Sequence, residues 1–151
     1  MRYALNNFFS SVTLFGTIPF FMLVIILFVR FNQSLALQLL VAMFVTEGIC
    51  ALIKIIWPTR RPIPRPAQKL FEKYDAGSFP SIHSARIVAL ATLTNIQYAD
   101  VLLLSVSTIL ALSVGYSRIY LGYHRYWDVF AGFCIGVIIA ILTWVASYGI
   151  A

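Results

Sequence analysis

The chain has 151 residues, of which 61% are hydrophobic and 11% charged, with a net charge of +6. A water-soluble domain carries about a quarter of its residues as Asp, Glu, Lys or Arg and cannot bury this much apolar surface. Composition therefore excludes soluble, disordered, collagen-like and disulfide-rich secreted classes, and leaves a membrane protein of one domain, residues 1–151. The positive charge is not a nucleic-acid signature, because Lys and Arg sit between apolar runs where they flank membrane segments or bind anionic groups.

The first apolar run, Ser11 to Val29, has the length of one membrane-spanning helix, with Pro19 as a site for a kink. Phe31 to Ser34 supplies a polar turn. A second helix runs from Ser34 to Trp57 and carries Glu47 and Lys54; Pro58 stops it, since the residue before a proline avoids the helical region. The loop 58–80 is basic and proline-rich (PTRRPIPRP), with a short interfacial helix expected around Gln68–Tyr74. A third helix spans Ser81–Tyr98, a fourth Val101–Leu121 and a fifth Tyr126–Tyr148, with Trp127 and Trp144 as interfacial aromatics. The expected fold is all-α: an integral membrane bundle of about five transmembrane helices. Cys50 and Cys134 lie inside apolar runs and are expected as small core hydrophobes.

Five crossings place the loop 58–80, the start of the third helix and the turn 117–128 on one face. Both histidines of the chain, His83 and His124, fall there, with Lys54, Arg61, Ser81, Ser117, Arg118 and Asp128. Lys54, Arg61 and Arg118 supply cations, two of them guanidinium forks suited to phosphate. Ser81 and the first amides of the third helix point donors at an anion. His124 and Asp128, four residues apart, share a helix face, so the carboxylate can fix the imidazole tautomer and free the other nitrogen as a nucleophile. His83 remains as an acid–base group. No metal-ligand motif and no phosphate-binding glycine loop occurs, so no metal or cofactor is expected. Singly, each residue has a plain structural role open to it, such as a snorkelling lysine or a helix-capping serine; the ordered combination points to phosphoryl transfer.

These residues form three motifs in order: Lys54-IIWPTR-Arg61-Pro62 (KxxxxxxRP), Pro80-Ser81-Ile82-His83 (resembling PSGH) and Ser117-Arg118-IYLGY-His124-RYW-Asp128 (SRxxxxxHxxxD). Together they resemble the type 2 phosphatidic acid phosphatase superfamily of membrane lipid phosphatases. The resemblance implies metal-independent hydrolysis of a phosphate monoester or diphosphate on a membrane lipid, through a phosphohistidine. It implies His124 as nucleophile, Asp128 as its orienting partner and His83 as general acid and then base. Lys54, Arg61, Ser81, the amide of Ile82 and Arg118 would cradle the phosphate. A phosphoryl-group transferase using the same site and a non-catalytic binder of anionic lipid are the competing readings; simple lipid binding needs no imidazole pair.

Two departures accompany the resemblance. Ile82 stands where the second motif has glycine, which requires negative φ and a side chain turned away from the phosphate. The helix that commonly precedes the first apolar run is missing by this reading. Members usually place the active face outside the cytoplasm, whereas every basic residue except Arg30 lies on that face, and the positive-inside rule favours the cytoplasm. The partners expected are the bilayer, in a cell membrane, and a lipid phosphate.

Three smaller features remain. Glu47 lies mid-membrane roughly on the face of Lys54, and is open to a site role or a packing role. Arg86, one turn after His83, could hold a lipid phosphate or the acidic part of the loop. Gly132 and Gly136 suit either a dimer seam or close packing inside the bundle.

Overall fold

The computed structural model describes residues 2–63 and 77–148. The expected interfacial helix at 68–74, with Arg65 and the acidic residues Glu72 and Asp75, lies outside them. The described residues form six α-helices and one 3₁₀ turn: α1 (Arg2–Thr13), the turn Leu14–Gly16, α2 (Ile18–Phe31), α3 (Gln33–Ile56), α4 (Ile82–Tyr98), α5 (Val101–Tyr120) and α6 (Tyr126–Tyr148).

Local chemistry sets these boundaries. The Asn32 side chain accepts from Leu35 N at 3.0 Å, so one residue both ends α2 and caps α3. Ala99 in the left-handed region closes α4, and Asp100 caps α5 by accepting from Leu103 N at 2.7 Å. α3 stops at Ile56, just ahead of Pro58.

The first apolar run is not one helix. Gly16 and Thr17 break it, Thr17 is extended (φ −89°, ψ 158°), and Pro19 opens α2 in its first turn, where its missing N–H costs no hydrogen bond. The two pieces, Arg2–Gly16 and Ile18–Phe31, bend by 48°. α1 begins ahead of the apolar run and is polar enough (RYALNNFFSSVT) to be missed by hydropathy.

The bundle is built inside out relative to a soluble protein. Leu37, Phe44, Leu52 and Ile55 of α3 face outward, while Gln38, Thr46 and Lys54 on its inner face are buried. Three helices, α3, α5 and α6, are long and apolar enough to cross a membrane, and the bent pair makes a fourth if it is one span. The remaining candidate, α4, has 17 residues and lies at the centre, packed on α3, α5, α6 and the 3₁₀ turn. Its seam with α6 depends on glycine: a Cβ on Gly132 would sit 2.4 Å from Ser81 O, and one on Gly136 would sit 2.4 Å from Ala85 O. Without a hydrophobic drive between helices in lipid, such backbone approach supplies much of the attraction. The Gly132–Gly136 pair thus serves close packing inside the bundle. Phe21, Leu35, Leu39, Ile87, Leu93 and Val114 fill the core above it. Cys50 is buried against Ile82 and Ala85 as expected, but Cys134 is exposed, because its position on α6 turns outward.

Candidate active site

One end of the bundle encloses a cavity of about 560 Å³. α3 lends it Lys54 and Glu47, and the segment after α3 lends Arg61. The start of α4 adds Ile82, His83 and Arg86. Arg118 comes from the end of α5, Tyr123 and His124 from the turn that follows, and Ser10 and Thr13 from α1. Of the eight residues to which the family resemblance assigns a role, Lys54, Arg61, Ile82, His83, Arg118 and His124 line one chamber; Ser81 and Asp128 stand behind its wall, 0% and 4% exposed.

The α5–α6 turn is wound tightly. Tyr123 N and His124 N both donate to Arg118 O, at 3.0 and 3.1 Å, and Gly122 adopts φ +69°, a conformation that suits glycine. Ile63 N donates to Gly122 O at 3.2 Å, which ties the segment carrying Arg61 to this turn. Arg118 lies over the Tyr123 ring, 4.5 Å from its centroid, so its guanidinium is both buried and oriented. The segment around Ser78 is pinned on the other side. Ser78 N donates to Thr59 O at 2.9 Å and Phe79 N to Thr59 Oγ1 at 2.8 Å.

His124, 2% exposed, has its Nδ1 2.8 Å from the Ser78 carbonyl oxygen. A carbonyl only accepts, so Nδ1 carries the proton and Nε2 is left with its lone pair. Asp128 is arranged differently from the helical pair expected. His124 precedes α6 and Asp128 lies in its first turn, with Nδ1 and Oδ2 3.7 Å apart, beyond a hydrogen bond. The carboxylate instead accepts from Ser78 Oγ and from Arg125 N at 2.7 Å. It acts on the imidazole as a nearby charge and as the brace of the Ser78 segment. Burial pushes the His124 imidazole down to about 4, against the pull of Asp128, and Arg118, Arg61 and Lys54 push the same way as burial.

Ser81 stands at the N-cap of α4 but makes no capping bond through its side chain; its hydroxyl pairs with Ser84 Oγ at 2.8 Å. Its N–H donates to Asp128 O at 2.8 Å, locking the start of α4 to α6. Ile82 has negative φ, as a β-branched residue in place of glycine requires. Its side chain is 6% exposed and packs on Cys50 and Ala85, although it still forms part of the cavity wall.

Arg86 and Glu47, weighed separately in the sequence, are bonded to each other: Arg86 Nε donates to Glu47 Oε1. Arg86 Nη1 also donates to Gly16 O at 3.0 Å. Among the described residues, Glu47 and Gly16 are the partners Arg86 has; the acidic part of the loop weighed for it in the sequence lies outside them. Sequence reasoning missed Ser78, Thr59, Tyr123 and the hydroxyls of Ser10 and Thr13. Only Tyr123, beside His124 inside the third motif, carried a signal. Among the described residues no three His, Cys, Asp or Glu side chains gather as a ligand set.

The PAP2 superfamily model matches residues 35–150. No curated protein matches the chain. Two solved structures are similar to it in fold. The crystal structure of Aquifex aeolicus LpxE superposes with a TM-score of 0.79 at 23% identity, covering 94% of this chain and 86% of that one. The first transmembrane PAP2 type phosphatidylglycerolphosphate phosphatase from Bacillus subtilis gives a TM-score of 0.78 at 21% identity, covering 97% and 78%.

Proposed function

The chain belongs to the PAP2 superfamily, and from that premise we propose that it is a metal-independent phosphatase acting on a phosphate monoester or diphosphate of a membrane lipid, within one domain over residues 1–151. The observation that carries the proposal is the pairing of an oriented, unprotonated His124 with three buried cations, Lys54, Arg61 and Arg118, around one chamber. A cavity that only bound anionic lipid would need the cations but not an imidazole held neutral among them.

The reaction follows from those roles. His124 Nε2 attacks phosphorus, forming a P–N bond as the P–O bond to the lipid breaks. His83 gives its proton to the leaving oxygen. The cations hold the phosphoryl oxygens as charge builds on them, the part a metal plays elsewhere. Water then attacks the phosphohistidine, His83 takes its proton, and inorganic phosphate leaves. Ser81 and the amide of Ile82 lie at the N-terminus of α4, where backbone donors suit an anion.

Phosphatidic acid, phosphatidylglycerol phosphate and polyprenyl diphosphate lipids all carry the headgroup this site reads. α4 serves as the fifth crossing in this reading, with α1 and α2 together forming the first. Transfer to an alcohol or phosphate instead of water is the second reading, and the hydroxyls of Ser10 and Thr13 at the chamber edge are compatible with a polar acceptor.

The test is phosphate release from a panel of lipid phosphates by purified protein in EDTA. Release by the parent and none by a monodisperse His124→Ala variant supports the proposal. Activity that disappears on chelation and returns with magnesium counts against it, as does turnover by His124→Ala.

A further inference from the structure

We infer that Glu47 and Arg86 are positioning residues that hold the Gly16 break against His83 and thereby aim its imidazole at the leaving group; this rests on the proposed role of His83 as the acid. The two histidines are oriented by different means. The His124 ring is fixed by a hydrogen bond to the Ser78 carbonyl. His83 Nδ1 is buried and has no hydrogen-bond partner among the described residues. Packing must therefore set the direction of its ring.

The packing surface is the break between α1 and α2. A Cβ on Gly16 would meet His83 Cβ at 2.8 Å, His83 O at 3.0 Å and Val114 Cγ1 at 3.1 Å. The peptide at Gly16 thus lies directly on His83, and only a residue without a side chain fits. A break in a helix is a weak wall unless something holds it. Arg86, one turn after His83 on α4, donates to the Gly16 carbonyl at 3.0 Å and to Glu47 of α3. One guanidinium joins three segments at the level of the acid. Its planar fork allows both bonds at once; a lysine would supply a point charge without that geometry. The pair is 7% and 24% exposed at its side chains, so each charge neutralises the other inside an apolar bundle. Removing one side chain leaves the other charge buried, so Arg86→Lys is chosen to keep the charge and Glu47→Gln to keep the hydrogen-bond acceptor.

The effect of the clamp should depend on the leaving group. A lipid alkoxide needs the proton from His83, and a nitrophenolate needs it much less. A misplaced acid slows the first more than the second, and a misplacement on the order of 1 Å can cost about 10²-fold. Parent, Arg86→Lys, Glu47→Gln, Gly16→Ala, His83→Ala and the Arg86→Lys/His83→Ala double variant would be compared as intact, monodisperse proteins. Single-turnover phosphoenzyme formation would be measured on a lipid monoester and on p-nitrophenyl phosphate.

The expected result is a roughly 10–100-fold loss on the lipid for each of the first three variants, with a several-fold smaller loss on the nitrophenyl ester. The double variant should lose no more than His83→Ala alone, since residues acting as a unit are not additive. Equal losses on the two esters, or an additive double variant, overturn the inference while a leaving-group-selective His83→Ala keeps the catalytic reading. A His83→Ala variant with no selective loss overturns both. If the charge variants do not stay monodisperse, Gly16→Ala tests the wall on which the clamp acts without touching a charge, and equal losses on the two esters there overturn the inference.

Discussion

The Nδ1 of His124 lies 2.8 Å from the carbonyl oxygen of Ser78, a residue 46 positions earlier in the chain. That contact, rather than the carboxylate four residues later, sets the imidazole tautomer. A backbone carbonyl cannot be removed by substitution, so the orientation of the His124 ring is built into the path of the chain. Ser78 also donates its hydroxyl to Asp128, which makes the carboxylate a support for the carbonyl as well as a charge beside the ring.

Asp128→Asn should consequently be milder than in a catalytic triad, where the same change selects the wrong tautomer and costs about 10⁴-fold. Here an amide oxygen can still accept from Arg125 N, and the Ser78 carbonyl still receives the Nδ1 proton. What is lost is charge opposite the phosphoimidazolium of the proposed mechanism. A fall in kcat on the order of 10–100-fold is expected, in line with the loss of one electrostatic contact. Steady-state kcat at pH 7 checks this, and a loss near 10⁴-fold would return the tautomer to Asp128.

Ser78→Ala separates the two functions of that residue. It removes the hydroxyl that Asp128 accepts and retains the carbonyl that His124 uses. Activity should fall less than in Asp128→Asn, and the His124 imidazole should keep its Nδ1 proton in a nitrogen-detected NMR spectrum. Appearance of the Nε2-protonated tautomer would show that the carbonyl alone does not hold the ring.

The pH dependence has a defined sign. Burial, with Arg118, Arg61 and Lys54, holds His124 down at about 4 despite Asp128. The form that the proposed attack needs is the unprotonated one, which predominates above that value and is lost as pH falls through it. The acid limb of kcat/KM, which reports the free enzyme, should therefore lie near pH 4 for His124 rather than near the ordinary histidine value of about 6.5. An acid limb near 6.5 that persists in His83→Ala would show the His124 imidazole to be far better solvated.

Ile82 and Gly132 probe the wall of the proposed phosphate site. Ile82→Ala removes a side chain packed on Cys50 and Ala85 while leaving the α4 amides in place. It should cost stability of about 2–5 kcal/mol, the usual range for such truncations, with kcat of the folded fraction little changed. Gly132→Ala should do the reverse of filling space usefully: its methyl would sit 2.4 Å from Ser81 O, forcing α6 from α4. A loss of about 1–3 kcal/mol and a lower kcat are expected, since Ser81 N and Asp128 O meet at that seam. Thermal unfolding in detergent reads both variants, and an unchanged Tm for Gly132→Ala would refute the close approach.

Composition and periodicity determined much of this protein without a structure. The apolar runs, the turn at Phe31 to Ser34, the stop at Pro58, and the collection of Lys54, Arg61, His83, Arg118, His124 and Asp128 at one end were all legible. They are local signals, carried by hydropathy over one helix or by motif spacing over a few turns. Tertiary structure alone decided the partners: Arg86 with Glu47 across 39 residues, Arg86 with Gly16 across 70, and His124 with Ser78 across 46. It also decided that the first apolar run breaks at Gly16. A glycine is tolerated in many membrane helices, and nothing within the run says that His83 will pack against it. Such contacts are chosen by how α3, α4 and the bent α1–α2 pair fit together in three dimensions, where one buried charge must find another and backbone must come close to backbone.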